Sequence, residues 1–252
     1  MSRTLWFEWV GVTLAAALLA ASLPLQTGYL GWSWDALNHH VYLGFTAQQP
    51  RWDLDVLPAS VQTYQYPYLY WPAYLMSQWP GRPALAAALW SGFQAAALAA
   101  PVWLIAHRLL PAQPSAAQDR VLRLTACATA FMSLCILASL ETTASDLLAC
   151  APLLWAIAVS LHTDFNRQRA ALAAALWGVA TAFKFSNGLF LPWLLLWWYQ
   201  PAQPRFAPSR AFALALGAAA GFGLAYAPWG WQLWQVTGNP FHPFFGGLFS
   251  RL

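Results

Sequence analysis

Few residues in this sequence can do chemistry, and they fall in five places. The first is a helical face: Asp35, Asn38, His39, Tyr42 and Thr46 recur at i, i+3, i+4, i+7 and i+11, a spacing that puts them on one side of a helix. An Asp and a His one turn apart can share a proton or a substrate, and a carboxylate beside apolar walls holds its proton to higher pH. Asp35 and His39 are the candidate catalytic pair, with Asn38 as a candidate binding residue beside them. The alternative is an interfacial helix whose polar face meets water, with Leu37, Val41, Gly44 and Phe45 opposite. Ser33 or Asp35 would cap its start. His40 points elsewhere on the wheel and is expected to be structural.

The remaining places follow along the chain. Asp53 and Asp55 flank Leu54 at strand-like spacing, with Arg51 just before them; they suit a ligand or a solvated loop. A divalent metal is conceivable through Asp35, His39 and Asp53 or Asp55, but the sequence requires no cofactor. Glu141 and Asp146 bracket a Thr-Thr pair, as helix caps or as a site. Lys184 lies between two short apolar segments, where it would neutralise a phosphate or extend outward to headgroups. Asn187-Gly188 and Gly238-Asn239-Pro240 read as turns, with Asn187 and Asn239 as further candidate binding residues.

Composition sets the medium. Of 252 residues, 60% are hydrophobic and 8% charged, and 17 are Trp, whereas a soluble domain is about 25% charged. The chain is expected to be an all-α polytopic membrane protein among membrane lipids. A formal charge of +4 without a basic run argues against nucleic acid. Three cysteines without paired spacing argue against a disulfide framework or a zinc site.

About seven transmembrane helices are expected, at 5–25, 83–110, 121–140, 146–161, 170–183, 189–199 and 211–228. The first reads as an uncleaved anchor, with a cleaved signal peptide as the rival. Residues 66–80 are apolar but too short to span and are broken by Pro72, so they read as an interfacial or re-entrant helix. The whole, 1–252, is one membrane domain: an outer loop with interfacial helices at 26–82, a helical bundle at 83–228 and an outer tail at 229–252. With the N-terminus cytoplasmic, eight of twelve basic residues (Arg3, Arg108, Arg120, Arg123, Arg167, Arg169, Arg205 and Arg210) fall inside, as the positive-inside rule asks. Arg51, Arg82, Lys184 and Arg251 fall outside, and the candidate residues gather on that outer face. Intramembrane or membrane-edge ionisable groups are costly and usually functional.

The run Trp34-Asp35-Ala36-Leu37-Asn38-His39-His40, followed by Val61-Gln62-Thr63-Tyr64 and an aromatic-proline segment, resembles bacterial membrane proteins of the C-type glycosyltransferase (GT-C) superfamily. So do Glu141-Thr142-Thr143 with Asp146, the segment from Gly178 to Asn187, and Gly238-Asn239-Pro240-Phe241 with Pro243-Phe244-Phe245. The resemblance implies a seven-span module with interfacial helices in its first outer loop. It implies a polyprenyl-phosphate sugar donor, an acceptor on the outer face of the bacterial inner membrane, and Asp35 as the base. Lys184 or His39 would stabilise the departing phosphate, with Arg51 or Arg82 in reserve. Members of that superfamily continue past the Gly-Asn-Pro region, so a shortened, inactive copy is one alternative. A transporter or an assembly subunit is the other.

Overall fold

The computed structural model describes residues 1–31, 33–140, 142–198 and 208–249. All regular structure among them is helical. In chain order the helices are α1 (Arg3–Thr27), α2 (Val41–Thr46), α3 (Trp71–Ser77), α4 (Pro83–Leu109), α5 (Ala116–Phe131) and α6 (Leu134–Leu140). They continue with α7 (Asp146–Ser160), α8 (Arg167–Phe183), α9 (Leu191–Trp198), α10 (Pro208–Thr237) and α11 (Gly246–Phe249).

Local chemistry sets the ends. Ser2 caps α1 by accepting from Leu5 N, and Gly28 closes it in the left-handed conformation at φ 85°, a shape that glycine adopts without strain. Ser115 and Asn166 cap α5 and α8 in the same way as Ser2. Pro83 opens α4, where its missing N–H leaves no bond unmade.

Three helices are long and apolar enough to cross a membrane: α1, α4 and α10, of 25, 27 and 30 residues. A fourth joins them if α5 and α6, bent by 65° at Met132-Ser133, count as one crossing. The expected straight span at 121–140 is therefore a bent pair. The bend carries the end of α6 onto α4, where Ser91 Oγ donates to Leu140 O at 2.7 Å and Trp90 Nε1 to Thr142 O at 2.9 Å. Pro72 does not interrupt a helix but sits in the first turn of α3. Helix α10 runs through Pro228 to Thr237, so the stretch expected as a tail begins as a continuation of the last long helix. Residue 199, Arg205 and Arg251 lie outside the described residues.

The helices alternate in direction. Trp9 Nε1 donates to Ala100 O at 3.0 Å and Gly92 faces Ala17 and Ala21, so α1 and α4 are antiparallel. At the far end of α4, Arg108 donates to Ala158 O, so α4 and α7 run parallel. Asn187, just beyond α8, donates to Ala149 O near the start of α7 at 3.0 Å, so α7 and α8 are antiparallel. Trp198 Nε1, ending α9, reaches Ser160 Oγ at 2.7 Å.

Helices α8 and α10 lie parallel in backbone contact. A Cβ on Gly217 would meet Ala171 O at 2.2 Å, one on Gly221 would meet Ala175 O at 2.0 Å, and one on Gly178 would meet Ala218 O at 2.3 Å. Small residues four apart allow this approach.

The two ends of the bundle differ. One holds Glu8, 5% exposed, whose carboxylate accepts from Arg123 twice (2.9 and 3.0 Å), from Trp103 at 3.1 Å and from Arg120 at 3.3 Å. The other holds Asp35, His39, His40, Asp146 and Lys184. Between the ends, Leu18, Leu19, Trp193 and Leu224 point outward, each at least 70% exposed, an apolar surface suited to lipid.

The α8–α10 contact yields a paired prediction. Gly221→Ala should lower the melting temperature of the detergent-solubilised protein, because backbones must separate to admit the methyl group; overpacking of this kind costs ~1–3 kcal/mol. Gly223→Ala, with open space around its Cβ position, should leave melting unchanged or raise it.

Candidate functional site

Asp35 and His39 stand together as their spacing requires. Ser33 Oγ accepts from Ala36 N at 3.1 Å, so Ser33 and not Asp35 starts the helix. Residues 36–40 then wind as one π-helical turn before α2. Single π turns of this sort are frequent at functional sites. The Asp35 carboxylate is 57% exposed, and its Oδ1 lies 3.8 Å from Nδ1 of His39, a side chain 5% exposed. That nitrogen makes no hydrogen bond.

The wider turn also changes who faces whom. Asn38 leaves the pair and donates to Gln62 Oε1 at 2.8 Å. His40, expected to point away, is buried beside His39, with ring centroids 4.4 Å apart. Its Nδ1 lies 2.9 Å from Thr143 Oγ1, and its ring stacks on Tyr70 at 4.9 Å. The Tyr70 hydroxyl faces Ser145. A long-range cluster thus forms from Asp35, His39, His40, Tyr70, Thr143 and Ser145, completed by Asp146 and Lys184.

Lys184 and Asp146 form an ion pair between the end of α8 and the first turn of α7, both about half exposed. A pair so wetted contributes ~0–1 kcal/mol. Little is lost if Lys184 exchanges Asp146 for another anion. Breaking the buried Glu8–Arg123 pair would cost several times more, ~3–5 kcal/mol.

Burial tunes the ring groups. It pushes His39 below the usual imidazole range, against the pull of Asp35 and Asp146. His40 is pushed down to about 4, by burial first and by His39 second. Tyr70 is pushed up to about 12 by the same desolvation. Both imidazoles are neutral at pH 7.

Two cavities meet at Tyr70. The larger, about 430 Å³, runs between α2–α3 and the start of α4; Tyr29, Leu30, Val41, Tyr74, Ala87 and Trp90 are among its walls, with His40 and Thr143. The smaller, about 210 Å³, has Lys184 and Ser145 in its lining and otherwise mostly aromatic rings.

The other sequence candidates lie elsewhere. Arg51 pairs with Asp55 at 3.0 Å and sits 4.8 Å over the Phe45 ring. Asp55 is also taken by Tyr42 at 3.3 Å, so Asp35, His39 and Asp55 do not come together as a metal set. No group of three or more His, Cys, Asp or Glu placed to hold a metal ion occurs among the described residues. The Asn187 amide donates to Ala149 O and Ala180 O, and the Asn239 side chain joins Phe244 O and Phe241 N. Both asparagines brace backbone, and neither is among the walls of these two cavities. Glu141 lies outside the described residues.

Tyr70, Ser145 and His40 were missed or set aside in the sequence. His40 carried a signal in its adjacency to His39. Tyr70 was one aromatic among many, and nothing local distinguished it.

Fold and site together define an all-helical protein with helices able to cross a membrane and a polar cluster at one end. No protein-family profile, curated protein or solved structure matches the chain.

The histidines give a pH prediction. A folded-state pKa below the usual 6.5 means the unfolded chain takes the proton first. Stability is then full above about pH 6.5 and falls as pH drops toward 4, by up to ~3 kcal/mol for His40. Thermal melts between these limits should show this slope in wild type and a shallower one in His40→Gln.

Proposed function

We propose that this protein is a membrane glycosyltransferase that moves a sugar from a polyprenyl-phosphate donor to an acceptor at the outer face of the bacterial inner membrane. The observation that carries the reading is the convergence of Asp35, His39 and the Lys184–Asp146 pair at one end of an apolar bundle, between two cavities. In this reading the chain crosses seven times with its N-terminus cytoplasmic, α7, α8 and α9 being short crossings. The alternation of helix directions supports that count. Segregation of Arg108, Arg120, Arg123 and Arg169 from the Asp35 end supports the orientation.

The chemistry then assigns roles. The acceptor hydroxyl oxygen attacks the anomeric carbon from the face opposite the phosphate. Its proton passes to the Asp35 carboxylate, which is exposed enough to receive it. The bond between the anomeric carbon and the phosphate oxygen breaks, and the electron pair leaves with the phosphate. Lys184 exchanges Asp146 for the phosphate oxygens as their charge develops. Neutral His39 orients Asp35, since its unbonded Nδ1 faces that carboxylate. The prenyl chain lies in the larger, mostly apolar cavity. No step requires a metal.

The rival is a non-catalytic membrane subunit, and the Lys184–Asp146 pair favours it by giving both groups a structural partner. Two measurements decide. Polyprenyl phosphate should bind the purified wild type saturably and at least tenfold more weakly after Lys184→Ala; equal binding would remove the phosphate from Lys184. Asp35→Asn, folded as wild type, should lower transfer from polyprenyl-phosphate hexoses by ~10²–10⁴-fold. An undiminished rate would exclude Asp35 as the base, and a wild type that binds no polyprenyl phosphate would favour the subunit.

A further inference from the structure

One ring nitrogen beside the larger cavity has no role in the chemistry assigned above. The buried walls of that cavity are His40, Tyr70, Ala86, Ala87 and Trp90. Three of them carry polar atoms. Trp90 Nε1 donates to Thr142 O at 2.9 Å, and the Tyr70 hydroxyl faces Ser145. His40 Nδ1 lies 2.9 Å from Thr143 Oγ1. That leaves Nε2 of His40, which makes no hydrogen bond among the described residues. The residue is only 6% exposed. Unlike Nδ1 of His39, its Nε2 is not sealed in protein, and the open space beside His40 is this cavity.

The His40 ring is held on three sides. Tyr70 stacks on it with centroids 4.9 Å and planes 24° apart, and His39 meets it edge to face at 4.4 Å. Thr143 holds Nδ1 and is itself carried by a turn that α4 fixes, since Ser91 and Trp90 donate to Leu140 O and Thr142 O. A ligand group at Nε2 therefore meets a partner already in place, with little ordering left to do on binding.

The chemistry of the partner follows. The Thr143 hydroxyl can donate to Nδ1 or accept from it, so Nε2 is a donor in one tautomer and an acceptor in the other. A hydroxyl suits both, because it donates and accepts. An alkyl chain alone would exclude water from the nitrogen and leave it unpaired. A carboxylate or phosphate would need a counter-charge. Among the described residues no Lys or Arg is a wall of this cavity, and His40 is neutral at pH 7. Leu30, Val41, Met76 and Pro83, less buried than the inner walls, lead outward and suit an apolar chain. The volume, about 430 Å³, lies within the roughly 300–1,000 Å³ of small-molecule sites.

We propose that the larger cavity binds a neutral lipid alcohol, its hydroxyl bonded to His40 Nε2 and its single apolar chain running out between α2–α3 and the start of α4. Thr143 is the positioning residue for His40. The site goes beyond the glycosyl-transfer reading and does not depend on it. A prenyl chain would use the same apolar walls, but its phosphate is assigned to Lys184, a wall of the other cavity. The two ligands differ in their polar anchors.

The test uses the full chain in lipid nanodiscs with a photoreactive diazirine analogue of hexadecanol as the probe. Wild type should be labelled saturably on the segment 70–90, which supplies most of the cavity wall. Hexadecanol should displace the probe at roughly three- to tenfold lower concentration than hexadecane, the effect of one hydrogen bond, and hexadecanoate should be weaker than the alcohol. His40→Phe, which keeps a ring against Tyr70, should erase the advantage of the alcohol over the alkane. Thr143→Val should reduce it and Thr143→Ser should restore it. An alkane that competes as well as the alcohol on wild type would overturn the proposal without any variant, because water would then serve Nε2. An advantage that persists in a His40→Phe protein melting like wild type would overturn it too. Lys184→Ala should keep the advantage; its loss there would move the hydroxyl to the other cavity and remove it from His40. Polyprenyl phosphate binding, read on the same samples, reports the donor alone, so either idea can fail without the other.

Discussion

The backbone contact between α8 and α10 is the constraint on which the site end of the bundle depends. Gly178, Gly217 and Gly221 lie where any Cβ would strike a carbonyl of the other helix. In an apolar medium, close van der Waals approach replaces the hydrophobic effect as the force between helices. Two helices that lie parallel and are nearly consecutive need a segment to return between them. The turn at Phe185–Phe190 and α9 make that return. The same contact brings Ala182 and Phe185 against Tyr226 and Trp229, and so builds the aromatic walls of the smaller cavity.

Polar groups in this chain are sorted by how well they can be satisfied. Glu8 is buried because four donor contacts, two of them from the Arg123 guanidinium, compensate its lost hydration. That arrangement locks α1, α4 and α5 together and leaves no capacity for a ligand. The opposite end is looser. Asp35 is exposed, the Nδ1 of His39 is unbonded, and Lys184 holds Asp146 in partial contact with water. One end is therefore built for stability and the other retains unspent polar capacity, which is where binding chemistry can occur.

The site was partly legible in the sequence. Asp35 with His39 followed from i, i+4 spacing, since that relation survives the π turn. Asn38 did not stay with them, because a wider turn rotates i+3 away from the face an α-helix would give. The value of Lys184 was visible in its position between two apolar stretches, but its partner was not. Asp146 is 38 residues away, and no local rule links an acidic first turn to a lysine beyond the next helix. Asn187 and Asn239 looked like binding candidates on the basis of side-chain type. Their buried amides instead satisfy backbone carbonyls and an N–H at helix and turn ends, a task that sequence does not reveal.

By itself the sequence determined the kind of elements: apolar helices with few charges, long enough in places to cross a membrane, and a short aromatic segment broken off from them. These follow from composition and from contacts within four residues, which any reading of the chain can count. Only the tertiary structure decided that α5 and α6 bend, that α10 continues through Pro228, and that His40, Tyr70, Ser145 and Lys184 share one end with Asp35. Those outcomes depend on which helices touch and at what depth. Contact of that kind joins residues tens of positions apart, and it is set by the fit of small side chains across an interface.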